Sequence, residues 1–157
     1  MALTTRPLEI EARDGYRLGA TLFVPDAPNG RAASVHAATG VPQQYYGRFA
    51  AYLAERGFTV LTFDYRGIGR SRPATLKGFA ARMRDWAELD GAAALDFLER
   101  EAGGAKLVAV GHSFGGQAFG LLPILSAAEN VEVPLRLQKT PIDQRRDRVA
   151  ELLELVG

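Results

Sequence analysis

The sequence predicts an α/β fold: a mostly parallel sheet that begins with an antiparallel hairpin and carries helices on both faces. Two observations predict it. The turn dipeptide Asp14-Gly15 separates two runs with strand-like alternation within 8–25. After this hairpin, strand-like and helix-like segments alternate three times, which is the order of parallel strands joined by helical crossovers. Functional sites of such sheets lie at the carboxyl ends of the strands.

The first strand and helix after the hairpin are indicated by a buried-strand pattern at 31–38 and a helix pattern at 43–57. Gly57 is placed to end that helix. We expect large side chains to share one face of the helix and to pack on the core. These are Tyr46, Phe49, Tyr52 and Leu53.

A second strand pattern, 58–64, precedes a second helix pattern at 84–104. Asp85 and Glu88 have the spacing of a capping box, which predicts where this helix begins. A third strand pattern follows at 106–110. The apolar stripe of the second helix consists of Trp86, Leu89, Ala93 and Phe97.

Composition excludes several classes of function. The chain has 157 residues, a net charge of +1 and 47% hydrophobic residues, the profile of one globular domain over 1–157. Near-neutral charge argues against binding nucleic acid or an anionic membrane surface, because both need clustered positive charge. With no cysteine and two histidines outside any ligand-spaced cluster, we expect no metal and no cofactor. The sequence shows no membrane span and no signal peptide, which predicts a cytoplasmic location.

A serine among glycines follows the third strand pattern. Gly111, Ser113 and Gly115 fit G-x-S-x-G, in which the glycines permit a sharp turn from strand to helix that pushes the serine hydroxyl outward. The pattern therefore makes Ser113 a candidate nucleophile.

Two nucleotide-binding interpretations of the glycines fail. Gln117 and Ala118 stand where a phosphate loop requires Lys and then Ser or Thr. Arg72 stands where a dinucleotide fingerprint beginning at Gly67 requires its third glycine.

Three separated motifs carry a family resemblance. They are "SVHAATG" at 34–40, "YYGRFAAYLAERGFTVLTFDYRGIGRSRP" at 45–73 and "VGHSFGGQ" at 110–117. In this order and at these spacings they resemble the α/β-hydrolase superfamily, especially its serine aminopeptidase-like and monoglyceride-lipase-like branch. The resemblance covers about 8–123. It implies a serine hydrolase that cleaves carboxylic esters or related acyl bonds of a small molecule through an acyl-enzyme.

The resemblance also implies roles for individual residues. Ser113 is the nucleophile, and the backbone amide of Phe114 is one donor to the oxyanion. Ala38 supplies the second amide, with Thr39 as the neighbouring alternative. The segment 64–71 resembles the family's D-x-R-G-x-G-x-S loop, which braces the site without taking part in the chemistry.

The general base is the missing part. The chain has two histidines, His36 and His112, and neither follows Ser113, where the family's catalytic histidine lies. We expect both to be structural. The predicted hydrolase is therefore weak or inactive, because a serine hydroxyl is a poor nucleophile without a base. The alternatives are a non-catalytic acyl-binding or interaction domain, and a truncated product without a selected function.

The tail, 124–157, departs from the family pattern, so the late strands and the cap are predicted to be missing. A strand at 131–138 and a helix at 141–157 are indicated instead, with Asp143 near the usual place of the catalytic acid. A replaced end is the alternative interpretation. An unpaired sheet edge predicts self-association, and the missing cap predicts a shallow, unselective pocket.

Overall fold

The computed structural model describes residues 3–120, 128, 132, 135 and 140–156. The chain divides into two compact units, Met1–Ala118 and Phe119–Gly157. The prediction of a single domain over 1–157 stays a prediction. Within the described ranges, no helix is both long enough and apolar enough to cross a membrane.

The first unit is built on a five-stranded sheet. Its strands are β1 (Leu3–Glu11), β2 (Arg17–Pro25), β3 (Arg31–His36), β4 (Phe58–Phe63) and β5 (Lys106–Gly111), in the spatial order β1-β2-β4-β3-β5. β1 pairs with β2 and β2 pairs with β4 in antiparallel fashion, while β3 pairs in parallel with β4 and β5. The α/β fold class and its N-terminal hairpin are therefore confirmed. β5 forms one edge of the sheet in the described part of the chain, and the predicted self-association through that edge stays a prediction.

The carboxyl ends of β3 and β5 lie side by side, at the point where the order of strands along the chain reverses its direction across the sheet. A 3₁₀ turn (Gln43–Tyr46) and α1 (Gly47–Ala54) join β3 to β4. The chain then returns past β3 to form β5. In open sheets of this kind, ligands bind outside the carboxyl ends of the strands at such a point, so we look for the site at the ends of β3 and β5.

The second crossover is a helix of three segments, α2 (Met83–Asp85), a π segment (Trp86–Gly91) and α3 (Ala92–Glu101). The predicted apolar stripe is confirmed, since Ala93 is buried and its three partners are half-buried against the core. The predicted capping box is wrong. The amide of Arg82 donates to Asp85 Oδ2 at 2.8 Å, so the helix begins before Asp85. The Glu88 side chain does not cap the helix but accepts a hydrogen bond from the Arg84 side chain, one turn earlier.

The face of α1 also differs from the prediction. Ala50 and Ala54 are fully buried, whereas Phe49 and Tyr52 are 41% and 50% exposed. Only Tyr46, at the start of the helix, is buried among the large aromatic residues expected on this face. The two alanines lie one turn apart and let the helix approach the sheet closely, which turns Phe49 and Tyr52 outward.

The second unit contains α5 (Ile142–Val156), which confirms the helix predicted at 141–157. Most of the strand predicted at 131–138 lies outside the described residues. Glu132 and Leu135, which are described, are helical, so the strand prediction is wrong there. Glu132 pairs with Arg145 of α5 at 3.6 Å, and this contact with another segment is not visible in the local alternation on which the strand prediction rested.

Candidate active site

Ser113 stands on a strained turn between β5 and α4 (Phe114–Gly120). Its φ is +52°, and no other non-glycine residue with a positive φ occurs among the described residues. Such a conformation is costly for a residue with a side chain and persists where the surrounding structure enforces it. The turn is closed by the amides of Gly116 and Gln117, which donate to the carbonyl of Ser113 at 2.9 and 3.0 Å.

The two glycines of the motif are explained by close contacts. A side chain at Gly111 would collide with the backbone of Gly116, in the first turn of α4. A side chain at Gly115 would collide with the carbonyl oxygen of His36, at the end of β3. The glycines thus permit α4 to begin directly against the carboxyl ends of both strands.

The turn leaves the Ser113 side chain exposed and turns Phe114 inward. The Phe114 ring packs edge-on against Tyr65 and Trp86, which are stacked on each other with centroids 5.1 Å apart. Among the described residues, no hydrogen bond from the Phe114 amide or the Ser113 hydroxyl is found. The exposed Ser113 side chain meets the first requirement of a nucleophile, which is access to its substrate.

Ala38 follows β3 and is buried, and its amide is already engaged. It donates to the hydroxyl of Tyr46 at 2.9 Å. The same hydroxyl lies 2.9 Å from Nδ1 of His112. The neighbouring Thr39 is exposed. The sequence indicated Tyr46 only as a core residue of α1, and nothing in its spacing signals a contact with the site.

Among the described residues, no hydrogen bond joins Ser113 to either histidine. His36 is fully buried, its ring meets Phe63 edge-on, and burial lowers its pKa from 6.5 to about 3. A pKa that low makes an imidazole a poor proton acceptor near neutrality. His112 is exposed, but its Nδ1 is directed at Tyr46. The burial of His36 is what a structural role requires, and that role stays a prediction.

Asp143 lies in the first turn of α5 and is exposed. It belongs to the second unit. Its role as the acid of a catalytic triad stays a prediction. No group of three His, Cys, Asp or Glu side chains suited to a metal ion occurs among the residues that the structure describes.

The segment 64–71 is held in place by buried polar contacts. Asp64 is completely buried and accepts hydrogen bonds from the amides of Gln43 and Arg70 and from the Gln43 side chain. The hydroxyl of Ser71 donates to the Asp64 carbonyl and accepts the amide of Gly19. These bonds tie the segment to β2 and to the 3₁₀ turn that precedes α1.

A buried arginine ties the same segment to the second crossover. Arg66 pairs with Asp90 at 2.7 Å, inside the π segment, and with Asp14 at 2.6 Å, in the hairpin turn. Its hydrogen bonds lower the pKa of Asp14. Complete burial raises the pKa of Asp90, against the opposing effect of Arg66. The carbonyl of Arg66 accepts the indole N–H of Trp86, which positions the aromatic pair under Phe114.

The model of the alpha/beta hydrolase fold family matches residues 29–119. The chain belongs to this family. The match includes β3, the 64–71 segment and the turn at Ser113, so the fold and the superfamily expected from the three motifs are confirmed.

Solved structures of several hydrolases share the fold. A carboxyl esterase from Bacillus coagulans is 19% identical with a TM-score of 0.62, over 84% of this chain and 40% of its own. An α/β hydrolase from Penicillium sp. sh18 is 21% identical with a TM-score of 0.64, over 82% and 42%. A serine hydrolase without lid from Xanthomonas campestris is 20% identical with a TM-score of 0.59, over 73% and 53%. The chain thus spans about half or less of the length of these proteins.

A short match of another kind also occurs. Over 41 residues, the chain is 51% identical to an uncharacterized ABC transporter ATP-binding protein of Thermotoga maritima. The match covers 26% of this chain and 18% of that protein. The chain is thus similar to only a small part of that protein.

Proposed function

We propose that the first unit is a serine hydrolase that acts slowly on carboxylic esters or related acyl bonds of small molecules through Ser113. The observation that carries the proposal is the turn at Ser113, where a φ of +52° presents an exposed hydroxyl at the carboxyl end of β5. Strain of this kind persists at functional sites because neighbouring contacts enforce it. Membership of the alpha/beta hydrolase fold family and the esterase fold neighbours support the reaction class.

The proposed reaction has two steps. The Ser113 oxygen bonds to the acyl carbon, the carbonyl oxygen becomes negatively charged, and the amide of Phe114 donates to it. The bond between the acyl carbon and the alcohol oxygen then breaks, and the alcohol takes up, through solvent, the proton that Ser113 loses. Water next adds to the acyl carbon, the bond to the Ser113 oxygen breaks, and one proton of that water returns to Ser113 as the acid is released. A second amide donor is needed at the 38–39 segment, with Ala38 as the candidate and Thr39 as its neighbour.

The rate is proposed to be low because no imidazole of this chain is placed to take the Ser113 proton. In the serine protease subtilisin, loss of the triad histidine costs about 10⁶-fold in kcat, and about 10³- to 10⁴-fold over water remains. Activated esters with good leaving groups are therefore the substrates of choice, because their leaving groups need no proton donor.

Turnover of p-nitrophenyl acetate by the purified chain and by Ser113→Ala tests the proposal. We expect slow release of p-nitrophenol that rises in proportion to protein concentration and falls to the buffer rate in Ser113→Ala. Equal rates in both proteins would contradict it. Circular dichroism of the two proteins shows whether the variant keeps the fold.

A second candidate function is the binding of acyl ligands without turnover. The burial of His36 and the contact of His112 Nδ1 with Tyr46 favour it, since both leave Ser113 without a base. Calorimetry would measure the binding of a medium-chain acyl ester, and chromatography would show whether the ester is hydrolysed. Saturable binding without hydrolysis would select this candidate over the first.

A further inference from the structure

We propose that the Tyr46 hydroxyl occupies the oxyanion amide of Ala38, so that an acyl oxygen must displace it before Ser113 can react efficiently. The inference rests on the proposed function. It is argued from the position of Tyr46, which is buried and only 7% exposed. Its hydroxyl oxygen lies 2.9 Å from the amide nitrogen of Ala38 and 2.9 Å from Nδ1 of His112. One hydroxyl thus joins the donor proposed for the oxyanion to the residue that precedes the nucleophile.

The direction of the Ala38 bond follows from chemistry, and that of the His112 bond follows from choosing the tautomer that satisfies both groups. An amide N–H can only donate, so the phenol oxygen accepts from Ala38. The phenol has one proton, and Nδ1 of His112 is the neighbouring atom that can accept it. A neutral ring with its proton on Nε2 satisfies this arrangement, whereas the opposite tautomer leaves the phenol proton without an acceptor among the described residues. Neither the Ala38 amide nor the Tyr46 proton is then open to an oxyanion.

Tyr46 is held in this place by the segment before it. The 3₁₀ turn that it ends is anchored at Gln43, whose amide and side chain both donate to the buried carboxylate of Asp64. The Gln43 side chain also donates to the carbonyl of Gly19 and accepts from Thr62. Because four hydrogen bonds fix the turn, the phenol is not free to swing away with the backbone.

The inference has a measurable consequence for the reactivity of Ser113. A neutral hydrogen bond contributes about 0.5–1.5 kcal/mol net, and displacing it slows a reaction by about 2- to 10-fold. Removing the hydroxyl while keeping the ring should therefore accelerate the reaction at Ser113. If the hydroxyl served instead as a donor to the oxyanion, its removal would slow the reaction.

The experiment measures fluorophosphonate labelling of Ser113 by intact mass spectrometry in the wild-type chain, Tyr46→Phe and Tyr45→Phe. The phosphonyl oxygen of this probe occupies the oxyanion site during attack. Tyr45 is the matched control because it is the adjacent tyrosine and is 72% exposed. We expect Tyr46→Phe to be labelled about 2- to 10-fold faster than the wild type, and Tyr45→Phe to match the wild type.

Hydrogen exchange of the Ala38 amide, followed by NMR, provides the second measurement. It should be faster in Tyr46→Phe and unchanged in Tyr45→Phe. Unchanged exchange in Tyr46→Phe, or labelling that is equal or slower there while the wild-type Ser113 is labelled, overturns the inference alone. A complete lack of labelling in all three proteins overturns the proposed function together with the inference built on it.

Discussion

The carbonyl oxygen of His36 lies so close to the α-carbon of Gly115 that any side chain at Gly115 would collide with it. The same carbonyl accepts the amide of His112 at 3.0 Å. The end of β3 and the turn that carries Ser113 are therefore fitted to each other through the backbone. The second glycine of G-x-S-x-G thus serves to allow this close approach between the turn and the end of β3.

Replacing Gly115 by alanine should push α4 away from β3. We expect Gly115→Ala to lower the free energy of unfolding by about 1–3 kcal/mol, the usual cost of overpacking, and to slow the reaction of Ser113. Urea denaturation measures the first effect. Gly116→Ala is the matched control, because an added side chain there meets its nearest neighbour, the carbonyl oxygen of Gly111, at 3.4 Å. Stability losses of equal size in the two variants would count against the predicted collision.

The strain at Ser113 predicts a difference between two inactive variants. Glycine adopts a positive φ without steric cost, whereas alanine bears the same cost as serine. Ser113→Gly should therefore be more stable than Ser113→Ala by about 1 kcal/mol in the free energy of unfolding. Both variants remove the hydroxyl, and both should be silent in the esterase assay. Thermal unfolding of the pair measures the difference, and an alanine variant of equal or higher stability would be inconsistent with a strained turn.

The Arg66–Asp90 pair predicts a large effect from one buried carboxylate. Asp90→Ala leaves the buried guanidinium without its partner in the π segment, and we expect a loss of about 3–5 kcal/mol in the free energy of unfolding. Glu88→Ala is the control, because Glu88 is exposed and pairs with Arg84 on the surface; its effect should stay within about 0.5 kcal/mol. Similar losses in both would remove the structural role assigned to Asp90.

The buried imidazole of His36 predicts a pH dependence of stability. Its pKa is lowered from 6.5 to about 3, so the unfolded chain binds a proton between these values that the folded chain does not. The free energy of unfolding therefore has its full value above pH 6.5 as far as His36 is concerned. It falls as the pH drops toward 3, with a slope that approaches about 1.4 kcal/mol per pH unit. Chemical denaturation between about pH 7 and pH 4 should show a smaller slope in His36→Leu than in the wild type, and identical slopes would refute the assignment.

Some features of the site could be predicted because local chemistry dictates them. The sharp turn at Ser113 requires glycines on both sides of the serine, and an alternating run on each side of Asp14-Gly15 leads to the hairpin. Both signals depend on neighbouring residues only, so the sequence is sufficient to predict them.

Other features depend on contacts between distant residues. The outward placement of Phe49 and Tyr52 follows from the close approach of Ala50 and Ala54 to the sheet, which periodicity alone does not distinguish from an aromatic face. The contact of Tyr46 with Ala38 and His112 joins three segments, and no spacing in the sequence encodes it. The second helix begins just after Arg82, whose backbone amide donates to the Asp85 side chain, and arginine is not a residue that typically precedes a helix.

Ser113 is proposed above all as a reactive but unassisted nucleophile. Time-resolved fluorophosphonate labelling, with the modified peptide identified by tandem mass spectrometry, tests this most directly. We predict slow addition of a single phosphonyl group at Ser113 and no addition in Ser113→Ala. Rapid stoichiometric labelling would contradict the missing base, and an adduct that persists in Ser113→Ala, or none at Ser113, would contradict the nucleophile itself.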